Sequence, residues 1–290
     1  MLRVLFFAVI VVAVALAVWL PTTIDVRTDA QTQAEAFAPG PIQMPVVTQV
    51  PDFNEYTDIR EKKEAFFGFL APLVQAENAR IRQERRKLAA LSERWSEGAQ
   101  LSPDETEWLD QLAARYRVKF DLAEDSEMFR VLFRRVDVVP ETLVLVQAAN
   151  ESAWGTSRFA LDALNFFGQW CFSEGCGLVP ESRIEGASHE VRRFSSVNAS
   201  VRSYLRNINT HPAYLQLRLL REQRRAAAAE LRAVDLTAGL LSYSERGEEY
   251  IEELNSMIRV NRPIIVDVIE TNQETDQNTG ENTNQDSSPE

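Results

Sequence analysis

The residues from which metal centres are built are scarce here: 290 residues include two histidines and two cysteines. His189 and His211 have no ligand-type partners at metal-binding spacing, so neither a metal nor a cofactor is expected. Basic residues are also in deficit, with 31 Lys and Arg against 43 Asp and Glu and a formal net charge of −12. Neutralising phosphates needs a positive surface, which excludes nucleic acid as a natural partner. Much of the deficit is local. Residues 270–290 hold Glu270, Glu274, Asp276, Glu281, Asp286 and Glu290 and no base.

Long apolar runs are missing as well, apart from Val4 to Leu20 behind Arg3. A positive n-region before such a run reads as an export signal, either cleaved or kept as a membrane anchor. The rest of the chain is therefore expected outside the cytoplasm, where the spacing Cys171-Phe-Ser-Glu-Gly-Cys176 suggests a disulfide across a tight turn.

The chain divides into five stretches. Residues 1–21 are the signal or anchor. Residues 22–57, rich in Thr, Gln and Pro, read as a flexible tether. Residues 58–124 form a charged helical arm, with a break expected near Pro72. Within it, Ser102-Pro103-Asp104-Glu105 spells a capping box, succeeded by Trp108, Leu109, Leu112 and Tyr116 on one face. Residues 125–265 are the candidate catalytic domain, with a helix over 246–262 near its end, and residues 266–290 are expected to be a disordered acidic tail. The arm is read as packed on the domain or as a site for an envelope protein partner.

The domain opens with a helix over 125–136. The helix after Pro140 is the most informative. Val144, Gln147, Ala148 and Glu151 fall at i, i+3, i+4 and i+7, which puts Glu151 at the end of a buried stripe. A carboxyl held against apolar surface keeps its proton to higher pH, as a general acid must, whereas a surface glutamate at a helix end would do nothing of the kind. Gly155 stops that helix and Thr156 or Ser157 can cap the next. Residues 170–194, with glycines and alternating segments, read as a small β-hairpin lobe. The arginine-rich run Arg218 to Arg225 reads as the solvated face of a helix.

The run Gln147-Ala-Ala-Asn-Glu151-Ser-Ala-Trp-Gly-Thr-Ser157, with Asn165-Phe-Phe-Gly168 after it, resembles the signature of the glucosaminidases of glycoside hydrolase family 73. Phe194-Ser-Ser196, Ser203-Tyr204, His211-Pro-Ala-Tyr214 and Tyr243-Ser244 with Tyr250 then occur in the family's order. The resemblance implies a mainly α, α+β lysozyme-like fold: a helical catalytic domain with a small β-hairpin lobe, preceded here by the arm. It implies Glu151 as the acid that protonates a β-1,4 glycosidic oxygen of peptidoglycan, at the periplasm or the periplasmic face of the inner membrane. It also implies Tyr243 beside that acid. A second carboxylate would come from the lobe, with Glu185 or Glu190 preferred over Glu174 and Glu181; otherwise the substrate's own acetamido group would assist. Asn165, Phe167 and Gly168 would floor the groove. Leu164 and Phe166 depart from the family's usual Asn and Leu. Two other readings stay open: a glycan-binding or scaffolding protein with weak catalysis, and a lytic transglycosylase.

Overall fold

Asp58 starts the first helix by accepting hydrogen bonds from the backbone N–H groups of Arg60 and Glu61. The computed structural model describes residues 45–119, 127–181 and 188–285. The expected signal lies outside them, and among the described residues no helix is long and apolar enough to cross a membrane.

Helix α1 (Ile59–Ser96) runs unbroken past Pro72, where the sequence predicts an interruption. An interior proline costs about 3 kcal/mol. Phe66, Phe67, Leu70, Leu73 and Val74 on either side of it are all buried, and packing of that face outweighs the lost hydrogen bond. Helix α2 (Pro103–Arg115) begins with the capping box read from the sequence, both of its reciprocal bonds being present. Its end is tied to α1 through Glu84, which accepts from the Tyr116 hydroxyl at 2.8 Å and pairs with Arg80 and Arg115.

Residues 45–57 do not run free as a tether would. Val47 donates to Asn198 Oδ1 at 2.9 Å and its carbonyl accepts from Val197, while Phe53 is buried in the core. An extended segment can be fixed in this way because two backbone bonds and one aromatic anchor offset its ordering entropy.

Helices α3 (Glu127–Arg135), α4 (Glu141–Glu151) and α5 (Arg158–Ala163) come next in the chain. Three short strands succeed them: β1 (Trp170–Cys171), β2 (Gly177–Leu178) and β3 (Glu190–Arg192). They form an antiparallel sheet in the order β1-β3-β2, in which Val191 faces both Trp170 and Leu178. The expected Cys171–Cys176 disulfide closes this lobe, with Cα atoms 6.2 Å apart. Helices α6 (Val197–Thr210), α7 (Leu215–Ala226) and α8 (Glu248–Gln285) complete the structure, with short 3₁₀ turns at Pro212–Tyr214, Ala233–Asp235 and Thr237–Leu240. The fold is mainly α and lysozyme-like with a small sheet, as the resemblance implies.

Helix α8 continues beyond the end expected at residue 262 and runs into the predicted tail. Ile265 is buried, and Ile264, Val268 and Ile269 pack on the core, so an apolar face carries the helix through Pro263.

The arginine run on α7 also differs from its sequence reading, because Arg218 and Arg221 are 2% and 1% exposed. Arg218 donates to the carbonyls of Ile208 and His211, at the end of α6. Arg221 donates to the carbonyls of Arg134, Asp137 and Val138 and to Asn209 Oδ1. Helix ends leave carbonyls without partners, and a five-donor guanidinium satisfies several at once. Asp137 lies beside Arg221, Arg225 and Arg85. Burial alone would raise its carboxyl, but these three cations hold it below the usual aspartate range. This cluster anchors the loop that leads into α4.

Candidate active site

Helix α4 is almost wholly buried: Leu143 to Ala149 are inaccessible to solvent, and the chain first emerges at Asn150 and Glu151. Glu151 therefore sits where the buried helix meets the surface.

A tight turn directly after Glu151 fixes its position. Ala153, Trp154 and Gly155 have φ of 50°, 59° and 76°, three consecutive residues in the left-handed region. For the two non-glycine residues this conformation is costly, roughly 1–2 kcal/mol each, and it persists because the turn is pinned from several sides. Ser152 Oγ donates to the Ala148 carbonyl at 2.6 Å and accepts from Gly155 N at 2.8 Å. Trp154 packs edge-on against Phe66 and Phe67 of α1. A Cβ on Gly155 would lie 2.6 Å from the Phe53 ring, so only glycine lets Phe53 close the back of the turn.

The Glu151 carboxylate is held from within. Tyr250, on α8, donates to Glu151 Oε1 at 2.8 Å. The Tyr250 oxygen accepts from Gln147 Nε2 at 2.9 Å, and Gln147 Oε1 accepts from the Tyr204 hydroxyl. The second carboxylate oxygen, Oε2, lies 3.7 Å from where a Cβ on Gly168 would stand, so the backbone at Gly168 approaches it closely. Burial raises the Glu151 carboxyl above the usual glutamate range. Hydrogen bonds from Tyr250 and Asn150 and the charge of Arg246 offset this in part, while Glu253 adds to it. Burial, and then the nearby Glu151 charge, raises the Tyr250 and Tyr243 hydroxyls.

Tyr243 stacks on Tyr250, with ring centroids 5.6 Å apart and planes 4° from parallel. Its hydroxyl donates to the Phe167 carbonyl at 2.9 Å, and the Phe167 ring stacks on Tyr204 at 4.0 Å. The structure thus gathers Glu151, Tyr243, Tyr250, Phe167 and Gly168 around one carboxyl.

Other predicted residues are occupied elsewhere. Asn165 is buried with its amide spent on the backbone: Nδ2 donates to the Gln169 and Arg192 carbonyls, and Oδ1 accepts from Phe167 N and Gln169 N. It shapes the floor and does not present its polar atoms to a sugar. Glu190 is 5% exposed, and its two oxygens accept from Gly175 N at 2.9 Å and Gly177 N at 2.7 Å. That carboxylate holds the disulfide turn together. Glu174 is exposed, Glu181 is exposed and 3.8 Å from Arg158, and Glu185 lies outside the described residues. Trp154 is half-buried in an aromatic cluster with Lys63 over its ring. Trp170, 55% exposed and stacked on His189 at 4.2 Å, keeps an accessible indole on the lobe. Gln147 is visible in the sequence as a polar residue on an apolar stripe, but its part in the site is not. Tyr204 stands there only as a member of the family's ordered motifs.

The described geometry places a carboxyl raised by burial at the end of a buried helix, and residues 126–262 match the sequence profile of the glucosaminidase family, described as mannosyl-glycoprotein endo-beta-N-acetylglucosaminidase. The chain belongs to the glucosaminidase-domain proteins, a family of glycan-related hydrolases. Within them it is of the Bax type: it is 35% identical over 218 residues to the protein bax of Escherichia coli (strain K12), covering 75% of this chain and 76% of that one. No solved structure matches the chain.

Proposed function

We propose that the protein is an exported peptidoglycan hydrolase, an endo-β-N-acetylglucosaminidase in which Glu151 is the general acid. The observation that supports this best is the Glu151 carboxyl itself: raised by burial, fixed by Tyr250 through one oxygen and bordered by Gly168 at the other. A protonated carboxyl in that position can donate to a glycosidic oxygen as the C1–O bond breaks and positive charge grows on the sugar ring. A buried acid surrounded by fixed dipoles needs little reorganisation at that moment.

The second group is best read as the substrate's own acetamido carbonyl. Its oxygen would bond to C1 as the leaving alcohol departs with the Glu151 proton. Water would then attack C1, returning a proton to Glu151 and releasing the acetamido oxygen. Among the described lobe acids, Glu190 is committed to backbone N–H groups and Glu174 and Glu181 are solvated, which favours this reading; Glu185 lies outside the described residues. Trp170 would offer an aromatic face to the glycan. Export rests on the apolar run Val4 to Leu20, which would also provide membrane attachment if uncleaved.

Incubating the protein with purified sacculi and analysing the soluble fragments tests the proposal. Fragments with N-acetylglucosamine reducing ends, absent with Glu151→Gln, are expected. Anhydromuramic ends would make it a lytic transglycosylase, and binding without release would make it a scaffold.

A further inference from the structure

The side chain of Glu151 ends a line of four hydrogen-bonding groups drawn from three helices. Tyr204 on α6 donates to Gln147 Oε1; Gln147 on α4 donates through Nε2 to the Tyr250 oxygen; Tyr250 on α8 donates to Glu151 Oε1. Each group has a reason to stay in line. Tyr204 is 1% exposed, and Phe167 stacks on its ring. Gln147 is inaccessible, so its amide has no water with which to exchange partners. Unlike a hydroxyl, which donates and accepts through one rotatable atom, an amide has two different ends, one accepting and one donating.

We infer that Tyr204 and Gln147 form a directional relay that locks Tyr250 as a donor to Glu151 Oε1 and so confines the catalytic proton to Oε2. With Tyr204 donating to Oε1, Nε2 must face Tyr250, whose oxygen is then an acceptor from Gln147. Its single proton is left pointing at Glu151. Asn150, the other side-chain donor to this carboxyl, is half-buried at the surface and can turn to water, whereas Tyr250 is fixed in the core; the oxygen that Tyr250 holds is the poorer place for a proton, which therefore resides on Oε2, the oxygen beside Gly168. Reversing the amide would turn the Tyr250 proton toward Gln147 and leave Tyr204 without its buried acceptor, at the cost of an unmade hydrogen bond. Tyr204 and Gln147 are positioning residues: the first reaches the carboxyl only through two others. The inference rests on Glu151 being the acid and adds which of its oxygens acts and what decides it.

The other charged and titratable groups around the carboxyl are Arg246 and Glu253 near and on α8, Tyr243 before it, and Tyr214 after α6. An NMR titration that alters none of them keeps their contribution constant. The full-length protein is labelled with carboxyl-¹³C glutamate, and the Glu151 resonance is assigned by its loss in Glu151→Gln. Its midpoint is then measured alongside the pH dependence of sacculus digestion.

Tyr250→Phe removes the donor to the charged form and should raise the midpoint by about one to two pH units, as expected for a hydrogen bond to a charged group. Tyr204→Phe deletes one oxygen, carries no charge change and does not touch Glu151. It should also raise the midpoint, by about half a unit or more, because the freed amide can turn and take the Tyr250 proton. In a Tyr250→Phe background it should do nothing further. Gln147→Met, although the larger disturbance, should leave the midpoint close to native, since a thioether is too weak an acceptor to draw the Tyr250 proton away. The alkaline limb of digestion should move with each midpoint.

A Tyr204→Phe midpoint equal to native, or an equal rise with and without Tyr250, overturns the relay. So does a Gln147→Met shift as large as that of Tyr204→Phe. If Tyr204→Phe does not fold, NOEs from the Gln147 side-chain NH₂ in the ¹⁵N-glutamine-labelled native protein decide the matter: contacts to the Tyr250 ring uphold the relay, and contacts to the Tyr204 ring overturn it. The titration needs no turnover. Midpoints that show this pattern in a protein that leaves sacculi intact would uphold the relay and remove the hydrolase reading.

Discussion

The Tyr250 hydroxyl and Glu151 Oε1 are 2.8 Å apart although 99 positions separate them in the chain. One residue comes from the buried helix α4 and the other from the opening turns of α8, so the acid is assembled only when both helices are in place.

Replacing Glu151 by Gln keeps the shape of the side chain and its place beside Tyr250 but removes the proton that the proposed general acid would transfer. Digestion of sacculi should fall by about 10²–10⁴-fold, the usual contribution of a general acid, with the circular dichroism and melting temperature of the protein close to native. A variant that digests at the native rate would sink the assignment.

The pH dependence has a definite sign. A general acid works in its protonated form, and burial raises the Glu151 carboxyl. Activity should therefore persist above the ordinary glutamate range and fall as pH rises through the elevated midpoint. A profile of kcat/KM against pH whose alkaline limb lies within the ordinary glutamate range would contradict the geometry.

Glu190→Gln separates a structural from a chemical role. The native carboxylate accepts from Gly175 N and Gly177 N; the amide would turn an NH₂ toward one of them. The expected loss is about 1–3 kcal/mol, confined to the lobe and seen as faster amide exchange at Gly175 and Gly177. Abolished cleavage with unchanged exchange would instead mark Glu190 as the missing partner.

Asp137→Asn should destabilise the whole domain by about 3–5 kcal/mol, because Arg221 would be left buried without its counter-charge. The cations hold Asp137 below its unfolded value, so its contribution is complete above that value and is lost as pH falls through the folded one. Denaturant midpoints measured from neutral pH downward should show the native protein weakening in acid and the variant changing less.

Gly155→Ala places a Cβ against Phe53 at a positive φ. Backbone strain of about 1–2 kcal/mol adds to overpacking of about 1–3 kcal/mol. Adding Phe53→Leu should recover part of the overpacking cost and none of the strain, which thermal melts of the single and double variants would reveal.

Much of the fold and site is legible in the residues. The Ser102 capping box, the Ser157 cap, the cysteine pair and the placing of Glu151 at the end of an apolar stripe all obey local rules of spacing and donor count. The features that escape such rules depend on partners distant in sequence. Arg218 and Arg221 read as solvated because periodicity scores a charge as polar; the carbonyls that receive them belong to α6 and to the loop before α4. Pro72 reads as a break because the phenylalanines around it meet their neighbours only in the folded chain. Gln147 reads only as a polar member of the buried stripe and of the motif, because nothing in its own helix names Tyr204 and Tyr250.

Phe53, Phe66 and Phe67 all precede the stretch that matches the glucosaminidase family, yet they form the wall against which the turn after Glu151 is wedged. The hereditary unit and the folding unit are thus different lengths of chain. A fragment cut at residue 126 would keep Glu151 and the tyrosines around it and lose the surface against which the turn after Glu151 packs.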